Sequence, residues 1–345
     1  MAPRLGNLGQ EVLSRNIRKQ DPTVTFLMET KLETTEMKQI CEKLGYSNFY
    51  IVDCDKSHGG RRGGLCLMWK ESINLQVQLA NPHVIDTVIS IPHTQSKWRL
   101  SGIYGWPEDS QKCHTWQLIR DIRGNNNTPW LCMGDFNEIL YHSEKVGGRL
   151  KEDSKLKAFQ DVLSECNLDD LGFEGYNFTW TNGQEGDKNI QERLDRCVAN
   201  MEWVSLYPAY KIEHHARILS DHCPLTITWN DQARKKQRKR LRVFRFEKMW
   251  LQDESCRPFV QNAWMNQDHW ERAHFGSITK QLEQTRTQIG KIQNMPPTAT
   301  NINATKSLEK KLLTLLKRRR LCGIKDHVPI GYETETKYDF LSSSC

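Results

Sequence analysis

Between residues 20 and 230 the chain alternates short apolar runs with stretches of helical periodicity. Residues 21–28 (DPTVTFLM) form a Pro-started apolar run, and residues 87–91 (TVISI) and 225–229 (LTITW) alternate as half-buried strands do. Residues 98–104 and 130–133 read as two more strands. Helical spacing falls on residues 8–19, 34–44 and 154–166, and Ser154 is placed to cap the last of these. Glycine-rich loops at 59–64 (GGRRGG), 146–148 and 182–186 separate the elements. Such a mixture over about 225 residues predicts a layered α/β domain rather than an all-α or all-β one.

After Trp229 the pattern changes. Residues 234–242 (RKKQRKRLR) hold seven basic side chains in nine positions, a solvated linker or a polyanion-binding patch. Aromatic clusters follow at 244–250 and 259–270. Helical periodicity returns at 277–292 and 307–321, split by a Pro-Pro and Asn/Thr segment at 295–305, which predicts an antiparallel helical hairpin. Residues 322–345 are polar and weakly patterned, and predict a disordered tail. The expected divisions are therefore 1–230, a basic linker at 231–245, an aromatic and helical region at 246–321, and the tail.

Charge follows this division. Residues 1–230 carry 26 basic and 30 acidic side chains, whereas residues 231–345 carry 23 and 12. A mildly acidic front joined to a basic back suggests two jobs. With 37% hydrophobic residues the chain can build a core, and no apolar run approaches the roughly 20 residues of a spanning helix. The eleven cysteines are odd in number and include no C-x-x-C pair, which argues against a zinc ribbon or a secreted disulfide framework. Reduced thiols in an intracellular protein are the expectation.

Four segments place acidic or imidazole side chains where a strand gives way to a loop. Met28-Glu29-Thr30-Lys31 ends an apolar strand with a carboxylate. Gly134-Asp135-Phe136-Asn137 offers a carboxylate and an amide two residues apart, a pair suited to positioning water and phosphate. Ser220-Asp221-His222-Cys223-Pro224 sets a proton-exchanging His beside an acid. Arg193-Leu194-Asp195-Arg196 contains an Asp able to orient a distant His. Taken singly, each is an ordinary charged turn. Together Glu29, Asp135 and Asp221 supply the hard oxygen ligands that Mg²⁺ selects.

The ordered series Glu-Thr-Lys at 29–31, Tyr104-Gly-x-Pro, Gly-Asp-Phe-Asn at 134–137, Leu-Asp-Arg at 194–196 and Ser-Asp-His-x-Pro at 220–224 resembles the endonuclease/exonuclease/phosphatase superfamily. The wording LMETKL, GGLCLMW, GDFNEIL, NFTWTN, RLDR and LSDHCPL is most similar to the endonuclease domain of plant LINE-type (non-LTR) retrotransposon polyproteins. The resemblance implies a four-layer α/β sandwich, two packed sheets flanked by helices, followed by the basic linker and the mostly helical C-terminal region. It implies that Glu29 binds Mg²⁺, or Mn²⁺ in its place, with Asp221 near the metal. Asp135 would orient or deprotonate the attacking water and Asn137 would hold the phosphate or that water. His222 would bind the scissile phosphate, oriented by Asp195, and Tyr104 would hydrogen-bond the phosphate region. Lys31 is expected to be a solvated charge and Trp180 a packing residue.

Leu5-Gly6-Asn7 matches the segment that follows the family's opening Trp-Asn strand, so the resemblance implies that this strand and the downstream reverse transcriptase are missing. Three functions stay open: a nuclear endonuclease nicking DNA, a phosphatase acting on nucleotides or inositol phosphates, and a non-enzymatic remnant. The remnant would bind DNA or RNA through residues 234–242, among them Arg234, Lys235, Lys236, Arg238, Lys239 and Arg240, and through Lys317 to Arg320. If the enzyme reading holds, Asp195 belongs within about 2.6–3.2 Å of the His222 ring.

Overall fold

The computed structural model describes residues 7–57, 59–90, 97–123, 128–229, 278–321 and 338–344. The chain divides into two units, residues 1–233 with 334–345, and residues 234–333.

The first unit is built on two sheets. One runs β2 (Asn48–Val52), β3 (Leu65–Trp69), β1 (Val24–Met28), β16 (Tyr338–Ser344), β15 (Leu225–Trp229), β14 (Tyr210–His214) and β10 (Glu174–Gly175). The other runs β4 (Asn74–Asn81), β5 (Val84–Ser90), β6 (Lys97–Tyr104), β7 (Trp130–Asp135), β13 (Asp195–Ala199) and β9 (Asp169–Asp170). A small ribbon joins β11 (Trp180–Thr181), β12 (Gln191–Glu192) and β8 (Lys145–Val146).

Alternation along the strands decides the layers. In β1, Val24, Phe26 and Met28 point into a core shared with Ile85, Trp98, Leu131 and Met133 of the opposite sheet. Leu27 faces the other way, onto Leu13 and Ile17 of α1 (Asn7–Gln20) and Met37 and Ile40 of α2 (Thr34–Leu44). On the second sheet, Ile103, Cys132 and Val198 face Trp116 and Ile119 of α3 (Lys112–Arg123) and Phe159 and Val162 of α4 (Asp153–Glu165). The layers are helix, sheet, sheet, helix: the four-layer α/β sandwich. Because β1 is buried on both faces, four of its five residues are apolar, Thr25 being the exception. Gly102 marks the close approach of the sheets, since a Cβ there would lie 2.6 Å from the Phe26 ring.

Trp98, Trp203, Tyr207 and Trp229 pack edge-on and tilted together at one end of the strands. Trp98 lies near the start of β6 and Trp229 ends β15, so this aromatic plug occupies the end opposite Tyr104 and His222. The charged chemistry collects at the other end.

The tail departs from expectation. Residues 338–344, expected to be disordered, form β16, parallel to β1 (Val24↔Phe340 to Met28↔Ser344) and antiparallel to β15 (Leu225↔Ser342 to Trp229↔Tyr338). Sheet pairing is made by main-chain groups, and β1 and β15 each carry an edge that needs a partner. A polar, weakly patterned segment satisfies those groups as well as an apolar one. The first sheet therefore includes residues beyond 230.

Two local expectations also change. Glu152, not Ser154, is the N-cap of α4, and Ser154 lies in the first turn. In the second unit, α5 (Ile278–Gln293) and α6 (Ala299–Leu321) pack on each other, with Leu282, Ile289, Leu312 and Leu316 buried. The Asn/Thr stretch after Pro297 is helical because the Thr298 hydroxyl accepts the Asn301 N–H and Asn301 Nδ2 donates to the Pro296 carbonyl. The basic linker and the aromatic clusters lie outside the described residues.

Deleting residues 334–345 is expected to lower the melting temperature by roughly 5 °C or more and to speed amide exchange in β1 and β15, read by hydrogen–deuterium exchange. Unchanged protection in both strands would show β16 to be dispensable.

Candidate active site

Strand register builds the site. Asp135, the last residue of β7, pairs with Tyr104 at the end of β6 and with Asp195 at the start of β13. Three polar side chains thereby stand side by side at one end of the second sheet. Glu29 follows the last residue of β1, and residues 220–224 lead into β15. His222 reaches the same place because its backbone pairs with Trp180.

The centre is buried. Asp135 is 2% exposed, Asp195 1% and His222 9%. His222 Nδ1 lies 2.8 Å from Asp195 Oδ2, within the range the sequence reading sets, and Nε2 lies 3.9 Å from Asp135 Oδ2. One imidazole thus spans two carboxylates. The Asn137 N–H donates to Asp135 Oδ1 at 2.8 Å, and Asn137 Nδ2 donates to the Gly105 carbonyl at 2.7 Å. The Tyr104 hydroxyl donates to Glu29 Oε1 in a very short contact, and Lys31 Nζ stands 3.4 Å from Glu29 Oε2. Lys31 is therefore bound to the site rather than solvated. Trp180 Nε1 donates to Asp221 Oδ2 at 3.3 Å, so Trp180 is a site partner as well as a packing residue. Asp195 Oδ1 and Asp221 Oδ1 are buried without a hydrogen-bond partner.

Electrostatics follow from this crowding. Burial pushes the Asp135 carboxyl up, and Asp195 adds to the rise, to about 7. Burial works against the His222 imidazolium, but Asp195, Asp135 and Asp221 outweigh it and raise the ring to about 10. Burial and the Glu29 charge keep the Tyr104 phenol protonated far above its ordinary range. Near neutral pH the centre holds an imidazolium, a phenol donor and a carboxyl poised to lose its proton.

Backbone conformation marks the same residues. Among the described residues, six non-glycine residues have positive φ; Glu29 (50°), Lys31 (53°) and Asn137 (55°) belong to these segments, and Leu219 (59°) immediately precedes the one that carries His222. Left-handed conformations are unfavourable for side chains with a Cβ and collect where function constrains the chain. Gly134 has φ 139°, and a Cβ there would meet the Ile103 carbonyl oxygen at 2.0 Å, so only glycine lets Asp135 end its strand here.

Several supporting residues escape the sequence reading. The Thr179 hydroxyl accepts the N–H groups of Leu194 and Asp195, and its carbonyl accepts the Cys223 N–H, tying together the segments that carry the Asp195–His222 pair. Arg193 and Arg196 flank Asp195 in a lattice with Glu144 and Asp170, with four contacts of 2.7–2.8 Å. Arg196 is fully buried. Glu138, also fully buried, is held by Lys112 at 2.9 Å and Lys151 at 2.7 Å. The one available signal was position: these charges adjoin buried strands, where an unpaired charge is costly. Arg234 through Arg240 lie outside the described residues. A cavity of about 490 Å³ beside α4, lined by Tyr141, His142, Ser154 and Gln160 among others, contains none of the site residues.

Residues 4–222 match the model of the Endonuclease/Exonuclease/phosphatase family. The chain is similar to the AP endonuclease LMAP from Leishmania major (16% identity, 65% of this chain and 84% of that one, TM-score 0.49). It is also similar to the endonuclease domain of TRAS1, a telomere-specific non-LTR retrotransposon (15%, 61% and 100%, TM-score 0.44). A third similar structure is the mannosyl-6-phosphatase Bt3783 of Bacteroides thetaiotaomicron (12%, 63% and 89%, TM-score 0.40). No curated protein matches.

The raised Asp135 carboxyl has a consequence for stability. A carboxyl whose folded pKa is about 7, against about 3.9 unfolded, makes the native state bind more protons, so its charge costs stability as pH rises through that window. Asp135→Asn keeps an acceptor for the Asn137 N–H and removes the charge. Its melting temperature is expected to exceed that of the parent by a margin that grows from pH 5 to pH 8. A margin independent of pH would show that Asp135 is ionised throughout.

Proposed function

Because the chain belongs to the endonuclease/exonuclease/phosphatase family, we propose that it hydrolyses phosphodiester bonds with a divalent cation, as a DNA-nicking endonuclease of LINE-type retrotransposon ancestry. The observation that carries this reading is the buried Asp135–His222–Asp195 arrangement. Glu29, Tyr104 and Asn137 are gathered around it.

The donor chemistry fits Mg²⁺. Carboxylate oxygens are its preferred ligands, and the unpartnered buried oxygen of Asp221 is an acceptor waiting for a positive partner. Asp135, Asp195 and His222 also lie close enough together to hold an ion. That set is less suitable, because the imidazole already bonds Asp195 and carries positive charge near neutral pH. Glu29 and Asp221, the ligands that the family resemblance implies, would hold the cation. When bound, it supplies Lewis-acid compensation of the charge that grows on the phosphate oxygens.

The chain's own groups supply the rest. Asp135, titrating near 7, takes the proton of the attacking water, and Asn137 fixes that carboxylate through its N–H. The His222 imidazolium, kept charged and oriented by Asp195, donates to a non-bridging phosphate oxygen. The Tyr104 hydroxyl adds a second donor beside Glu29. The basic residues 234–242 suit a long polyanion, whose many phosphate contacts release counterions cumulatively. A nuclear site of action follows from a chromosomal substrate. No helix among the described residues is long and apolar enough to cross a membrane.

The purified full chain is expected to convert supercoiled plasmid to nicked circles with Mg²⁺ and not with EDTA. His222→Ala should slow this by at least about a hundredfold without lowering the melting temperature enough to unfold the protein. Phosphate release from nucleotides or inositol phosphates, with no nicking, would favour the phosphatase reading. No turnover of either substrate would favour a remnant.

A further inference from the structure

We propose that His83, Trp106 and His114 form a stacking subsite for a nucleobase next to the scissile phosphate. This rests on the phosphodiesterase reading and specifies its substrate as a base-bearing polynucleotide rather than a sugar or inositol phosphate.

The rings continue outward from the catalytic centre. Tyr104 donates its hydroxyl to Glu29, and the His83 ring lies parallel to Tyr104 within 5°, 6.2 Å between centroids. Trp106 stacks on His83 at 3.3 Å and 12°. His114, exposed on α3, leans on Trp106 at 5.6 Å and 51°. The ladder runs from buried Tyr104 through half-buried His83 and Trp106 to solvent. Burial holds the His83 ring below its ordinary pKa, so Trp106 is backed by a neutral ring.

Both loops are fixed in advance. The His83 N–H donates to Asn81 Oδ1 at 2.8 Å, and the Tyr104 N–H donates to the His83 carbonyl at 2.9 Å. His83 Nδ1 bonds the Tyr104 carbonyl at 2.9 Å, and the Trp106 N–H donates to the buried Thr115 hydroxyl at 3.0 Å. Gly105, between Tyr104 and Trp106, is bonded to both Asp135 and Asn137. Trp106 is therefore positioned by the same contacts that position the proposed water-activating pair. The core aromatic group of Trp98, Trp203 and Trp229 is closed off from solvent, whereas this group ends in a half-buried Trp106 and an exposed His114. Aromatic faces at the edge of a phosphate site recognise bases, because every base offers a π-face.

The test uses the full chain and a short single-stranded oligonucleotide carrying 2-aminopurine, with binding followed by anisotropy and base fluorescence in Ca²⁺. Trp106→Ala is expected to weaken binding roughly 5- to 150-fold, as loss of one base–aromatic stack does, and to abolish the fluorescence quench. Trp106→Phe should keep most of both. His114→Ala, at an exposed helix position, should weaken binding less and tests the subsite even if Trp106→Ala fails to fold. An oligonucleotide of abasic sites should bind all variants alike. If every folded variant binds the base-bearing oligonucleotide as the parent does, the subsite is refuted, whatever the diesterase activity. If the base-dependent difference appears but no diester is cleaved, the subsite stands and the hydrolase reading falls.

Discussion

Two carboxylates buried at the end of one sheet would repel each other and be driven to protonation unless a positive group lay between them. The imidazole of His222 is that group. Its Nδ1 bonds Asp195 at 2.8 Å while Nε2 faces Asp135 at 3.9 Å. Everything else at this end of the molecule follows from keeping the ring there. Thr179 ties the segment before β13 to the segment before β15. Trp180 pairs with His222 along the backbone and bonds Asp221 through its indole. Arg193 and Arg196 lock the strand that carries Asp195 into a buried lattice with Glu144 and Asp170. Removing one partner from such a lattice leaves an uncompensated buried charge, commonly a cost of about 3–5 kcal/mol.

The same logic divides the sandwich into a stable end and a reactive end. Trp98, Trp203 and Trp229 fill one end with apolar ring contacts. The other holds left-handed residues at Glu29, Lys31 and Asn137 and unpartnered acceptors on Asp195 and Asp221. The core supplies the stability that such strained and polar groups consume. β16 belongs to this arrangement, since it lies between β1, which leads to Glu29, and β15, which follows His222.

Much of this was legible in the sequence. The strand ends carrying Glu29 and Asp135 announce themselves as apolar runs that stop at a polar residue, His222 stands just before an alternating run, and α2 falls on residues 34–44 as its periodicity requires. The role of register was not legible, because pairing between Tyr104, Asp135 and Asp195 joins residues distant in sequence. Arg193 and Arg196 read as part of an ordinary charged turn, since sequence does not reveal that Glu144 and Asp170 fold onto them. The tail misled for a different reason. Composition reports whether a segment can bury side chains, whereas β16 is placed by main-chain pairing that composition does not encode.

The most direct measurement is a histidine NMR titration of the full chain, with the His222 resonances assigned by their loss in His222→Gln. The account predicts that the ring stays protonated well above pH 8 in the parent chain and loses its proton at markedly lower pH in Asp195→Asn. A His222 that titrates near 6.5 in both proteins would contradict it, because the ring would then be neither charged by its two carboxylates nor held by Asp195.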